Sequence, residues 1–584
     1  MNKKYLPFLN WFPISSRVLR TDLIAGITVA LVLIPQSMAY AQLAGLPPYM
    51  GLYAAFLPVL VAALFGSSKQ LATGPVAVVS LLTASALMPL AGVGTDQFIG
   101  LAILMALMVG IVQLTLGIFK LGLIVNFLSH PVILGFTNAA AIIIGLSQIP
   151  KVFGVSMGRS ETFVKDIWDV FQHLDQTHLP TLIFGSSALL GMWLLKKYLP
   201  KVPDVLIAVV VTTVVSWSIG FEEMGGTVVG HVPAGLPAFS IPALDIDMIF
   251  HLLPTAVVIA MVGFMEAISI AKSVASRTKD RIDPDQELIG QGLANIFGSF
   301  TQSYPASGSF SRTAVNFNAG AKTGMSSVFT ALMVLIALLL LTPLLYHLPQ
   351  AVLAAVIIMA VGGLIHFQSA LYAWNANKHD GIASLVTFIA TLGFAPHLDK
   401  GIMAGAGLAM GMYLYRNMRP RIAHLGRFDD GTLRDLEVHP NLPTDQRIIV
   451  IRFDGGLFFA NVSYFEDNIL NAVSEKPDAS YLLVIGDGIN QLDASGEVVL
   501  HHLVDRLKNS NTTMVFAGLK RQVLEVMRRT QLYDNIGKEN LFATKDMALA
   551  SIYKRLGDNQ FCPLLDPIAD VKEPEQPVEE PAAS

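Results

Sequence analysis

Up to about position 420 the chain alternates long apolar blocks with short polar or Gly/Pro-rich breaks. The blocks fall at 22–45, 53–65, 98–119, 131–149, 178–195, 203–220, 251–271, 286–299, 324–342, 349–365, 382–396 and 400–415. Two shorter runs open at Gly74–Pro75 and near Phe310. A bilayer is crossed by about 20 helical residues, so the pattern predicts about fourteen membrane segments, two of them half-length. After Arg416 the periodicity changes. RIIVIRF (447–453), GLFFA (456–460) and SYLLVIG (480–486) read as strands, and SYFEDNILNAV (463–473) and SGEVVLHHLVDRLKN (495–509) as helices, which makes a small α/β domain. The resulting division is an N-terminal segment over 1–20, a membrane domain over 21–418, a polar linker over 419–446, the α/β domain over 447–557 and an acidic, proline-rich, disordered tail over 558–584.

The stretch 297–320, FGSFTQSYPASGSFSRTAVNFNAG, breaks this regularity inside the apolar part. Pro305, Ser307, Gly308 and Ser309 end the incoming helix, and a new one starts near Phe310 with Arg312 in its first turn. An arginine at membrane depth costs about 2.5–3.5 kcal/mol on insertion scales, so it faces a cavity or a partner unless it snorkels to headgroups. A helix that begins within the membrane also points unpaired N–H groups and a positive dipole end forward. The guest that suits both is an anion. An echo lies upstream: FGSSKQLATGP (65–75) shares with 297–308 the FGS triplet and a glutamine three residues after its serine, Gln70 and Gln302. With about seven spans between copies, the second repeat runs through the membrane in the opposite sense, and the helix starts at Pro75–Val76 and at Phe310–Ser311–Arg312 face each other.

Composition agrees with a polytopic helical membrane protein. Hydrophobic residues make up 53% and charged residues 14% of the 584 positions, with a mean hydropathy of +0.56. Lys and Arg are absent from 21–68, 70–119, 121–150, 202–271 and 323–377. Threaded alternately, most of the intervening cations share the side of Lys3, Lys4, Arg17 and Arg20, which predicts a cytoplasmic N-terminus and α/β domain. The N-terminal residues lack a signal-peptide core. No basic domain or motif suggests nucleic acid, no ATP-binding or hydrolase motif suggests a pump or enzyme, and no cofactor is called for. His130, His251 and His347 lack metal-like spacing, and the single cysteine, Cys562, excludes an internal disulfide.

PPYMGLYAAFLPVLVAALFG (47–66), IPQSMAYAQLAG (34–45), GFMEAISIAKSVA (263–275) and SGSFSRTAVNFNAG (307–320) together resemble the hallmark segments of the SulP family of sulfate permeases and related anion exchangers. The C-terminal region is similar to the STAS domain. The resemblance covers about 20–555. It implies a seven-plus-seven inverted repeat of the uracil-permease type with core and gate domains, a homodimer, and an elevator-like movement of core against gate.

On this reading Arg312, with the backbone N–H groups of Phe310 and Ser311 and the facing start at Pro75 and Val76, holds a small anion. Gln36 and Tyr40, on one face of a helix, add a donor and a hydroxyl, or else serve helix packing. Glu266 is a proton-site candidate: the resemblance places an acidic residue tied to cation coupling there, and the alternative is a structural ion pair with Arg312. Ser495 in LDASG matches the serine phosphorylated in anti-sigma-factor antagonists, and its other reading, the one favoured from the sequence, is a helix N-cap. The expected function is proton-coupled sulfate uptake across a bacterial inner membrane. Bicarbonate or C4-dicarboxylate transport, an uncoupled anion channel and a nucleobase permease are the alternatives.

Overall fold

The computed structural model describes residues 6–122, 129–155, 163–199, 202–233, 235–557 and 562–565. Most of the predicted tail therefore lies outside the described residues. Two compact units are present, Met1–Met410 and Gly411–Ser584.

The first unit is helical. Its elements are α1 (Ser16–Leu43), α2 (Pro48–Ala54), α3 (Leu57–Phe65), α4 (Ala77–Leu87), α5 (Asp96–Ile118), α6 (His130–Phe153), α7 (Phe163–Gln172), α8 (Leu179–Tyr198) and α9 (Asp204–Ile219). They continue with α10 (Ile246–Thr278), α11 (Pro284–Ser299), α12 (Phe310–Asn318), α13 (Met325–Ile336), α14 (Gln350–Gly362), α15 (Phe367–Ala376), α16 (Lys378–Phe394) and α17 (Leu398–Met418). Among the described residues, eight helical stretches are long and apolar enough to span a bilayer. The remaining segments are shorter or more polar, and α4 and α12 are the two half-length ones. Starts follow local chemistry: Thr95 caps α5, Asp245 caps α10, and Asp283 followed by Pro284 opens α11.

Two packing groups are evident. α5 lies along α11 and α10, α3 along α11, and α1 along α2, α12 and α13. α6 packs with α14 and α16, and α8 with α14 and α9. The α5–α11 contact is close because Gly110 and Gly292 meet there: a Cβ on Gly110 would stand 2.7 Å from the Ile296 nitrogen. Small residues permit such approach in a membrane, where dispersion rather than water exclusion drives helix association. α7 and α15 are additional short helices that the apolar blocks did not reveal, because neither is long enough to span.

The second unit has a six-stranded sheet in the order β4-β3-β5-β6-β7-β8. Here β1 (Thr73–Gly74) and β2 (Ser307–Gly308) are two-residue strands in the first unit, and the sheet comprises β3 (Ile422–Arg427), β4 (Leu433–Asp435), β5 (Ile448–Phe453), β6 (Tyr481–Ile485), β7 (Thr513–Ala517) and β8 (Leu541–Phe542). β3 runs antiparallel to β4 and β5, and the remaining pairs are parallel. Ile449, Ile451 and Phe453 alternate with Ile448 and Val450 onto opposite faces, one under Phe465, Leu503 and Val523, the other under Leu549 and Ile552. Two sequence expectations change here. The 419–446 segment supplies β3 and β4, which its polar composition hid. GLFFA is a loop in which Leu457 makes an isolated bridge to Leu492, because Gly455–Gly456 and the Asn461 carboxamide turn the chain.

Candidate functional site

The FGS echo becomes a structural crossing. β1 and β2 pair antiparallel, Thr73 with Gly308 and Gly74 with Ser307. The Ser309 N–H donates to the Ala72 carbonyl at 2.9 Å, and the Ala72 N–H donates to Thr313 Oγ1 at 3.0 Å. Immediately beyond the strands the chain enters α4 on one side and α12 on the other. Two half-helices of opposite sense thus start from one two-stranded ribbon.

The starts differ in capping. Ser309 caps α12, its Oγ accepting from the Arg312 N–H at 3.5 Å, whereas α4 begins at Val76 with no side-chain cap. The first-turn N–H groups of α4 are thus left to face whatever lies ahead. Pro75 and Val76 are buried; Phe310 and Ser311 are exposed.

Arg312 is the largest fully buried side chain, with 0% exposure. None of its three guanidinium nitrogens has a hydrogen-bond partner among the described residues. Nη2 lies beside Gly74, where an added Cβ would stand 3.3 Å away and where the backbone φ of +143° suits only glycine. The position thus joins the two repeats: the cation comes from α12 and the clearance for it from β1.

Among the described residues, Tyr40, Tyr304 and Glu266 are ionisable groups near enough to this guanidinium to be felt electrostatically. Tyr40 and Gln36, each 5% exposed, lie one turn apart on α1, and Gln36 Oε1 has no hydrogen-bond partner. Glu266 sits on α10 with its Oε2 buried and unpartnered, and no hydrogen bond joins it to Arg312. The structural ion pair weighed from the sequence is therefore not formed here. In the second unit, α18 (Val462–Glu475) precedes α19 (Ala494–Asn509), which Asp493 caps, its Oδ1 accepting from the Gly496 N–H at 2.8 Å. Ser495 is not the cap, which corrects that alternative; it is exposed in the first turn.

Sequence reasoning missed several residues around the crossing. Tyr304, fully buried, shares a 3.2 Å hydrogen bond with Ser80 of α4. A polar stripe on α11, Glu287, Gln291 and Asn295, reaches the turn before β1, β1 itself and the residue before β2. The signal was available: carboxylate and carboxamide groups at i, i+4 and i+8 within an apolar segment share one helix face.

A profile of the Sulfate permease family matches residues 19–387, and one of the STAS domain matches 439–548. The chain belongs to the sulfate permease family. "Sulfate transporter 4.1, chloroplastic" of Arabidopsis thaliana is 36% identical over 90% of this chain and 79% of its own length. "High affinity sulfate transporter 2" of Stylosanthes hamata is 31% identical over 91% and 84%. The fold matches murine Slc26a9, an anion transporter in the inward-facing state, with a TM-score of 0.87 at 23% identity, covering 94% of this chain and 93% of that one. It also matches the transmembrane domain of a cyanobacterium bicarbonate transporter, BicA, with a TM-score of 0.57 at 22% identity, covering 68% and 99%. This family member is a multi-pass membrane transporter with a C-terminal STAS domain, and not an enzyme.

Proposed function

We propose that this transporter carries a small inorganic oxyanion, sulfate above others, into the cytoplasm in symport with protons, as a homodimer working by elevator-like alternating access. The observation that carries the reading is the fully buried Arg312 guanidinium, without a protein partner, at the start of one half-helix and beside the uncapped start of the other. A buried charge is retained only where something compensates it, and a mobile anion does so in part of a transport cycle. The names of the plant relatives favour sulfate.

Glu266 is the proton carrier in this scheme. When the anion neutralises Arg312, the nearby carboxylate loses its attraction to the guanidinium and takes up a proton, which couples the two fluxes. Gln36 and Tyr40 complete the anion's surroundings from α1. Ser495 is an exposed hydroxyl in the first turn of α19, where a phosphate would be favoured by the helix dipole and would report on the STAS domain's state. The Lys/Arg distribution supports a cytoplasmic N-terminus and STAS domain, and the bacterial inner membrane is part of the same proposal.

Uptake of labelled sulfate, bicarbonate and succinate into proteoliposomes, with and without an inward proton gradient, tests the reading. Sulfate uptake accelerated by the gradient is expected. Preference for bicarbonate or succinate would reassign the substrate, and gradient-insensitive flux would identify an uncoupled channel.

A further inference from the structure

β2 is only two residues long, and Ala306, just before it, is 2% exposed. A buried backbone N–H or C=O left without a partner keeps the full penalty of losing its water. Asn295 of α11 supplies both partners. Its Oδ1 accepts from the Ala306 N–H at 2.8 Å, and its Nδ2 donates to the Ala306 carbonyl at 3.1 Å. The carboxamide thus occupies the place of a neighbouring strand and lengthens the ribbon by one residue.

The same Nδ2 lies 3.1 Å from Gln113 Oε1 on α5, and Gln113 Nε2 donates to the Ala260 carbonyl of α10 at 3.1 Å. One turn back along α11, Gln291 Nε2 donates to Thr73 Oγ1 on β1 at 2.9 Å and reaches Glu287 Oε1 at 3.3 Å. Glu287 Oε2 in turn accepts from the Ser67 and Ser68 N–H groups at 2.8 and 3.0 Å. A single helix face therefore grips both strands of the crossing, and α5 and α10 brace it.

We propose that Asn295 is a positioning residue for the anion site: it fixes where Ala306 lies, and through β2 and the Ser309 cap it sets the placement of Arg312 against the start of α4. The inference rests on the reading that Arg312 faces the transported anion. Asn295 touches no substrate. It acts by making the ribbon rigid, so its loss shows first as weaker binding by folded protein.

The test compares sulfate affinity and ligand-free melting temperature of the purified full chain for Asn295→Ala, Asn138→Ala and Arg312→Met. Asn138 is an equally buried carboxamide, 2% exposed, whose Oδ1 accepts from the His366 N–H at 2.7 Å away from the crossing. Asn295→Ala is expected to raise the sulfate Kd at least tenfold. Asn138→Ala is expected to lower the melting temperature while leaving the Kd within twofold of wild type. If Asn295→Ala does not fold, Asn295→Asp serves instead: it keeps the acceptor for the Ala306 N–H but turns a second oxygen toward the Ala306 carbonyl and Gln113 Oε1. Its Kd relative to wild type is then expected to be weaker at pH 8 than at pH 5, where protonation restores a donor. A wild-type Kd in Asn295→Ala, or in Asn295→Asp at both pH values, overturns the proposal provided that Arg312→Met has lost binding. If Arg312→Met binds normally, the site reading falls first and this inference with it.

Discussion

Replacing Arg312 by methionine separates two roles that an alanine substitution would mix. Methionine keeps an unbranched, flexible side chain of similar volume and removes the charge, so the cavity term stays small. In the ligand-free protein the guanidinium is fully buried and hydrogen-bonds to none of the described residues, with only the through-space attraction of Glu266 to offset its desolvation, so its removal relieves more cost than it adds. The ligand-free melting temperature is therefore expected to stay level or rise. With substrate the sign reverses. Two of the three free nitrogens can make charge-assisted hydrogen bonds to one oxyanion, each worth about 1.5–3 kcal/mol, and their loss weakens binding by about two to four orders of magnitude. The assay is thermal unfolding in detergent across a sulfate titration. Ligand at a hundred times Kd stabilises the wild type by about 2.7 kcal/mol, which appears as an upward shift. Arg312→Met should show no shift over the same range. A retained sulfate-dependent shift would refute the anion-site reasoning, and a fall in the ligand-free melting temperature would mean that the guanidinium has a partner within the protein.

For Glu266→Gln, sulfate exchange between equal pools should continue while an inward proton gradient no longer drives uphill uptake, because the amide mimics the protonated acid but cannot cycle; gradient-driven accumulation in proteoliposomes would place the coupling elsewhere. In a Cys562→Ser background, Val76→Cys and Ser311→Cys should both be protected from a thiol reagent by saturating sulfate, and Thr227→Cys should not; protection at 311 alone would leave α4 outside the site. Removing the chain from Ile422 onward deletes the whole six-stranded sheet and should preserve sulfate binding while altering transport rate or assembly, as read by binding and uptake on the same monodisperse preparation.

The membrane segments were legible because span length and apolar composition are imposed by the bilayer itself. α5, α8 and α9 begin and end within a few residues of the apolar blocks. The burial of Arg312 was legible for a related reason: a charge within an apolar segment is costly enough to point to a cavity or a partner. The strands of 419–446 were not legible, since β3 owes its existence to β5 beside it, and β4 to β3, and not to their own pattern. The cap at Asp493 rather than Ser495 was decided by which side chain reached an N–H group, a choice of two residues that composition does not resolve.

From the order of residues alone it follows that the chain crosses the membrane many times, that two segments are broken, and that one carries a cation. It took the packed helices to show that the two breaks meet as one antiparallel ribbon, that Gly74 gives Arg312 its room, and that Glu287, Gln291 and Asn295 hold the crossing. Hydropathy is a property of each segment against its solvent, so it can be read along the chain. A hydrogen bond between Asn295 and Ala306, or clearance between Gly74 and Arg312, depends on distances between segments, which exist only once the helices have packed.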